Sequence, residues 1–271
     1  MRYDLLRYRR AVTHSSSFLL FHPAAAPYPS ARMSPSFPAT RWSVVAAAGS
    51  RPAEAHAAWS ELYGIYWYPL YAYARRTGLS PENAEDATQS FWLRALAPGF
   101  LAAADPARGR LRTFLLTAFS RDLMDEKRNA ARQKRGGGIE FIPLDTAGAE
   151  ERYLAAPASS GSEPGRQFDA EWAAALLAAA LTRVEAAYTA SQRAPIFKAL
   201  SPFLSSTGDL PNQASLATQL GMSHTALRQS LTRLRDHFRK ALRATIADTL
   251  DAPTDPAIDE ELLTLRAILA G

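Results

Sequence analysis

Leu227, Leu231, Leu234, Phe238 and Leu242 recur at steps of four, three, four and four residues. On a helix turning about 100° per residue that spacing makes one continuous apolar stripe. A second stripe, Arg228, Thr232, Arg235 and Arg239, runs one residue further on, so the same helix carries a dry face and a basic face. Just before it stand Gly221, suited to a tight turn, Met222, which can pack beneath that turn, and Ser223, a good N-cap. Leu216, Ala217 and Leu220 give a preceding short helix its apolar side, with small Ala217 at the close crossing. QASLATQLGMSHTALRQSLTRLRDHFRKAL is therefore expected to fold as a helix-turn-helix, with helices near 212–220 and 224–247. His224, Thr225, Arg228 and Gln229 fall at the start of the second helix, where side chains reach base edges in a major groove. Arg and Gln can make paired hydrogen bonds to guanine and adenine. Thr232, Arg233 and Arg235 extend the same candidate DNA-binding surface. An ordinary amphipathic hairpin with solvated arginines shares part of this pattern. The coincidence of cap, glycine turn, small residue and basic stripe favours DNA binding.

The rest of the chain is also helical in its periodicity, with no convincing strand alternation. Thr40 is placed to cap a short helix ended by Gly49, and a longer helix is expected from about Glu54 to Gly78, kinked or broken at Pro69. Its aromatics, Trp59, Tyr63, Tyr66, Trp67 and Tyr71, fit a core stripe better than a base-stacking platform. Another helix is expected to begin at Arg110 and to stop at the glycines 136–138. After a Pro-, Ser- and Gly-containing stretch with one apolar patch (Phe141, Ile142, Leu144), helical spacing resumes from Phe168 to about Ala190 and from Gln192 to Leu204. A short helix, ELLTLRAIL, closes the chain. The expected fold is all-α: two helical domains joined by a flexible linker. The divisions are a disordered leader at 1–39, a domain at 40–135, a linker at 136–166, a helix-turn-helix domain at 167–247 and a tail with a short helix at 248–271.

Several classes of function are excluded or disfavoured. The chain has no cysteine, so disulfide scaffolds, thiolate metal sites and cysteine nucleophiles are out, and a reducing cytoplasm is the simplest expected location. Five scattered histidines show no metal-ligand spacing, no Walker-type loop is present, and Asp125 and Glu126 are adjacent and so point apart on a helix. Neither an enzyme nor a cofactor or metal is expected. No apolar stretch approaches the ~18 residues of a membrane helix. The net charge of +5 matters less than its placement. Between 108 and 135, Arg108, Arg110, Arg112, Arg121, Lys127, Arg128, Arg132, Lys134 and Arg135 face only three acids, Asp122, Asp125 and Glu126. The dipole at a helix C-terminus accounts for two or three such cations, and tracking a phosphate backbone accounts for more.

Against this basic background SPENAEDATQSFWLRAL, residues 80–96, stands out. Ser80 and Pro81 start a helix on which Ala84, Ala87, Thr88, Phe91 and Ala95, with Trp92 at the edge, form a core face. Glu82, Asp86, Gln89 and Leu93 form a different line, acidic yet partly apolar, which suits a protein partner.

Ala84-Glu85-Asp86-Ala87-Thr88-Gln89-Ser90-Phe91-Trp92-Leu93-Arg94-Ala95 resembles the core-binding helix of bacterial RNA polymerase sigma factors of the extracytoplasmic-function type, with one extra residue between Phe91 and Arg94. DPARGRLRTFLLTAFSRDLMDEKR is similar to that family's promoter −10 segment, with Phe114 and Leu115 as its aromatic-Leu pair and Met124, Asp125 and Arg128 in its aliphatic-Asp-x-x-Arg pattern. LATQLGMSHTALRQSLTRLR is similar to the −35-reading helix-turn-helix, with Ser230 where arginine is usual. The resemblance covers about residues 40–135 and 212–245; the long segment between them and the missing Leu-Pro-x-x-x-Arg depart from typical members. It implies that Glu82, Asp86, Gln89 and Leu93 dock on the clamp of the largest subunit of core RNA polymerase. It implies that the first domain opens promoter DNA at the −10 element, with Phe100, Arg110, Arg112, Arg121, Arg128, Arg132, Lys134 and Arg135 as candidate contacts. The helix-turn-helix would read the −35 element and the linker would thread toward the polymerase active site. An anti-sigma factor is a further partner compatible with the resemblance. Two other classes fit the residues themselves: a helix-turn-helix regulator that binds DNA without core polymerase, and a helical adaptor whose basic faces are only solvated.

Overall fold

The structure is a computed structural model that describes residues 52–95, 100, 110–130, 147–156, 163–204, 211–250 and 253–270. The leader, the helix expected after Thr40, the glycines 136–138, the apolar patch at 141–144 and most of the 97–109 loop lie outside the described residues. Every regular element among the described residues is helical. In chain order these are α1 (Pro52–Arg76), α2 (Pro81–Ala95), α3 (Leu111–Ala130), α4 (Ala147–Ala155), α5 (Pro164–Ala190), α6 (Ala194–Leu200) with a 3-10 turn at Ser201–Leu204, α7 (Gln213–Gln219), α8 (His224–Ala247) and α9 (Asp255–Ala270).

α1 runs unbroken through Pro69. The proline removes one backbone donor, but the residues around it, Trp67, Tyr68, Leu70 and Tyr71, are all buried. Their packing holds the helical path that local propensity alone would interrupt. The expected stop at Gly78 is present: its φ is +94°, its N–H donates to the Arg75 carbonyl at 3.1 Å, and Leu79 N–H donates to the Ala74 carbonyl at 3.3 Å. Those two bonds are a Schellman motif, which needs the left-handed residue that glycine supplies at no steric cost.

α5 organises the molecule. It is apolar around most of its circumference, the mark of a helix enclosed by others. Its first half, including Phe168, Trp172, Ala173 and Leu176, joins α1, α2, α3 and α9 in one core. Its second half, with Leu181, Val184 and Tyr188, joins Phe197, Leu200, Phe203, Leu216, Leu227, Leu231 and Leu234 in another. Ile246 near the end of α8 and Ile258 and Leu265 of α9 are buried in the first core. A shared helix, seated in both cores, connects the two halves.

The stretch expected as linker holds α4, tied to α1 by a two-pronged ion pair. Arg75 donates from Nη2 to Glu150 Oε1 at 2.7 Å and from Nε to Oε2 at 2.9 Å, while Tyr71 donates to Oε2 at 2.6 Å. Arg152, also on α4, lies over the Tyr68 ring and donates to buried Glu171 of α5 at 2.6 Å. Hydrogen bonding from Arg75, reinforced by Tyr71, holds the Glu150 carboxyl below its ordinary range. The unfolded chain therefore takes up this proton first, so the stabilisation is complete above the usual carboxylate pKa and is lost as pH falls through the depressed one. Glu150→Gln is expected to reproduce the acid effect at neutral pH: faster amide exchange across 147–156, with α1 core amides unchanged. Unaltered exchange in α4 would mean that the ion pair does not dock it.

Candidate nucleic-acid and protein interfaces

α7 and α8 are held by three local devices. Asn212 caps α7, its side chain accepting from Ala214 N–H at 2.9 Å and Ser215 N–H at 3.3 Å. Gly221, at φ +63°, donates to the Thr218 carbonyl at 3.1 Å, and Met222 N–H reaches the Ala217 carbonyl at 3.0 Å, a second Schellman turn. Ser223 caps α8 by accepting from Ala226 N–H at 3.2 Å. These fix the angle at which α8 leaves the turn. Leu227, Leu231 and Leu234 are buried below, and Phe238 and Leu242 are half-buried.

The opposite face of α8 presents His224, Thr225, Arg228, Gln229, Thr232, Arg233 and Arg235, all exposed. The first six line a shallow groove at the start of the helix. No described acidic residue pairs with Arg228, Arg233 or Arg235, whereas Arg239 is paired with Asp236 at 2.8 Å. The positive end of the helix dipole lies at His224 and Thr225, at the same end of the row as Arg228. Ser230, at the position where the resemblance leads one to expect arginine, is buried with 9% exposure. A side chain there faces the interior of the motif, where a small residue fits.

α2 separates its faces as the sequence predicts: Ala84, Ala87, Thr88, Phe91, Trp92 and Ala95 are buried. Glu82, Asp86 and Leu93 are exposed, Leu93 at 53%. Gln89 is half-buried and donates to Glu85 Oε1 at 2.9 Å, so it borders the line. Backbone hydrogen bonding at the helix start and a bond with Ser80 hold Glu82 below its ordinary pKa, keeping this surface anionic. Arg94 at the end of α2 pairs with Asp122 of α3. That pair brings the exposed Leu93 into the same region as α3, whose Met124 is 56% exposed.

The candidate residues on and before α3 divide into groups. Phe100, expected near an unstacked base, packs edge-on against Phe91 and Phe114, with ring centroids at 5.7 and 5.4 Å. Arg110 is engaged by α9: it lies 2.7 Å from Glu260 Oε1 and 2.8 Å from Glu261 Oε2, and it donates to Thr264 Oγ1 at 2.8 Å. Arg112 sits over the Trp172 ring, 3.6 Å from Glu261 Oε1 and 3.7 Å from Asp169 Oδ1. Burial pushes the Glu261 and Asp169 carboxyls above their ordinary range, opposed by Arg112 and Arg110. Arg121 is exposed. The side chain of Arg128, and all of Arg132, Lys134 and Arg135, lie outside the described residues.

The acids that meet Arg110 and Arg112 were missed by sequence reasoning. The available signal was the run Asp259-Glu260-Glu261 just ahead of the apolar residues of the last helix. Among the described residues no cluster of metal-ligating side chains occurs, and no helix is long and apolar enough to cross a membrane. The family model described as ECF sigma factor matches residues 56–244, which takes in α2, α3 and the α7–α8 motif. No curated protein and no solved structure matches the chain.

Proposed function

The chain belongs to the ECF sigma factor family, whose members act in transcription initiation with core RNA polymerase and promoter DNA, and on that premise we propose how this chain divides the work. α8 enters a major groove at the −35 element, with Arg228 and Gln229 reading base edges and Arg233 and Arg235 holding phosphates. α2 docks on the polymerase clamp through Glu82, Asp86 and Leu93, bordered by Gln89. The basic surface that begins at α3 holds the backbone at the −10 element during strand opening, with Arg121, Arg128, Arg132, Lys134 and Arg135 joined by Arg110 and Arg112 once these are free. An anti-sigma factor would restrain the chain most directly by covering the α2 line.

The observation that carries this reading is the exposed row on α8, basic and unpaired by any described acid, set on a glycine turn and two capped helices. A row of arginines on a solvated face needs no such placement, whereas groove entry requires it at the start of the second helix. Arg228→Ala is expected to cost about 1–3 kcal/mol of discrimination at one base position. Competition binding against duplexes varied one position at a time checks this. An equal loss on every duplex would put Arg228 on a phosphate instead. A regulator that binds duplex without polymerase would use the same α8, and the engagement of Arg110 and Arg112 within the molecule favours that second reading. Association with core polymerase separates the two.

A further inference from the structure

We infer that α9 is a displaceable acidic strap, whose carboxylates occupy the basic start of α3 in the place of nucleic-acid phosphates and hold the two halves of the molecule together. The inference rests on the reading of α3 as part of a −10 surface. Four acids line the first two turns of α9, and all four meet arginines of the elements assigned to DNA. Glu260 and Glu261 meet Arg110, and Glu261 also meets Arg112. On the same helix, Asp255 and Asp259 both pair with Arg243 of α8. One helix thus bridges the α3 end of the first core and the far end of the recognition helix.

The bridge is built to be exchanged. Asp255, Asp259 and Glu260 are exposed at 86, 60 and 72%, so their ion pairs are of the weak, screened kind. A polyanion offers the same arginines an alternative partner, with counterion release in addition. Glu261 differs: it is buried, and with Ile258 and Leu265, and with Leu262, Ile268 and Leu269 packed against the same core, it seats the helix. The exposed acids are the part of the contact that yields to competition.

Geometry gives the strap a purpose. Elements centred near −35 and −10 lie about 25 base pairs apart, or roughly 85 Å along the duplex at 3.4 Å per base pair. α5, the longest described helix at 27 residues, spans only about 40 Å at 1.5 Å per residue. With α8 and α3 both pinned by α9, whose 16 residues span about 24 Å, the two surfaces cannot meet both elements. Release of α9 is a condition for dual engagement.

The test compares Glu260→Gln with a control of equal charge change, Glu151→Gln, an exposed acid of α4 that among the described residues neither pairs with Arg110, Arg112 or Arg243 nor shares a hollow with them. The full chain is used, with a forked promoter-like duplex as probe. The strap variant is expected to bind about threefold more tightly than wild type and the control. Adding Arg110→Gln should remove the gain. Amide exchange over Asp255–Ala270 should rise in wild type when duplex is added. Equal affinity of strap variant and control, together with weaker binding by Arg110→Gln alone, would overturn the strap and leave the α3 reading standing. A gain that survives Arg110→Gln, or unchanged exchange in α9 on saturation with duplex, would overturn the strap as well. No effect of Arg110→Gln in either background would remove the α3 reading on which it rests.

Discussion

Asp86→Arg is expected to abolish binding to core RNA polymerase while leaving stability within about 0.5 kcal/mol of wild type. Asp86 is exposed in the middle of the α2 line, forms no ion pair with a described residue, and is flanked by Glu82 and Leu93. Its replacement removes nothing from the core formed by Ala84, Ala87, Phe91 and Trp92. It reverses the charge at the centre of the proposed interface, and like charges juxtaposed there cost several kcal/mol. A penalty of about 3 kcal/mol already exceeds a hundredfold in Kd. Leu93→Ala should weaken binding less, because it removes apolar contact without adding repulsion. Co-purification of the variants with core polymerase, paired with thermal melting, checks both. A large fall in melting temperature with retained affinity would make Asp86 a structural residue.

Trp172→Ala is expected to have the largest effect on stability, about 3–5 kcal/mol. Trp172 is fully buried on the half of α5 that joins α1, α2, α3 and α9, and Arg112 lies 4.5 Å from its ring centroid. Truncation opens a cavity of indole size and strips Arg112 of its aromatic platform, leaving the guanidinium with Glu261 and Asp169 alone. Because a domain's total stability is about 5–15 kcal/mol, such a loss is a large fraction of the whole. α5 is also seated in the second core, so unfolding should be a single transition in urea, at a lower midpoint, followed equally by probes in either half. A loss below about 1 kcal/mol, or two separated transitions, would mean that α5 does not couple the cores.

α2 and the α7–α8 motif were legible because their information is local. Ser80 and Pro81, Ser223, and Gly221 mark ends, and the apolar spacings select faces without knowledge of what covers them. The buried set on α2 is the set its periodicity predicts. Of the kink or break expected at Pro69, the break does not occur: the local cost of the proline is real, but the burial of Trp67, Tyr68, Leu70 and Tyr71 keeps the helix continuous. α4 is short and contains Gly148, so little in its own sequence marks it as a helix. Its anchors are Arg75 and Tyr71 on one side and Glu171 and Tyr68 on the other, distant in the chain.

α5 could be recognised as helical but not as the centre of the molecule. A helix apolar nearly all round offers no single face, and so no hint of how many neighbours it has. The partners of Arg110 and Arg112 were hidden by separation too, since Glu260 lies 150 residues beyond Arg110. Sequence could mark these arginines as candidates for phosphate. It could not reveal that carboxylates from the last helix already stand in that place.

The central claim, that this member of the ECF sigma factor family directs core polymerase to promoters, is tested most directly by reconstituted transcription. Purified chain is added to core RNA polymerase that lacks any other sigma factor, with template from the source genome. The account predicts run-off transcripts of defined length that require the chain, start downstream of a shared pair of elements, and disappear with Asp86→Arg. Binding to promoter duplex with no association with core and no chain-dependent transcript would contradict it.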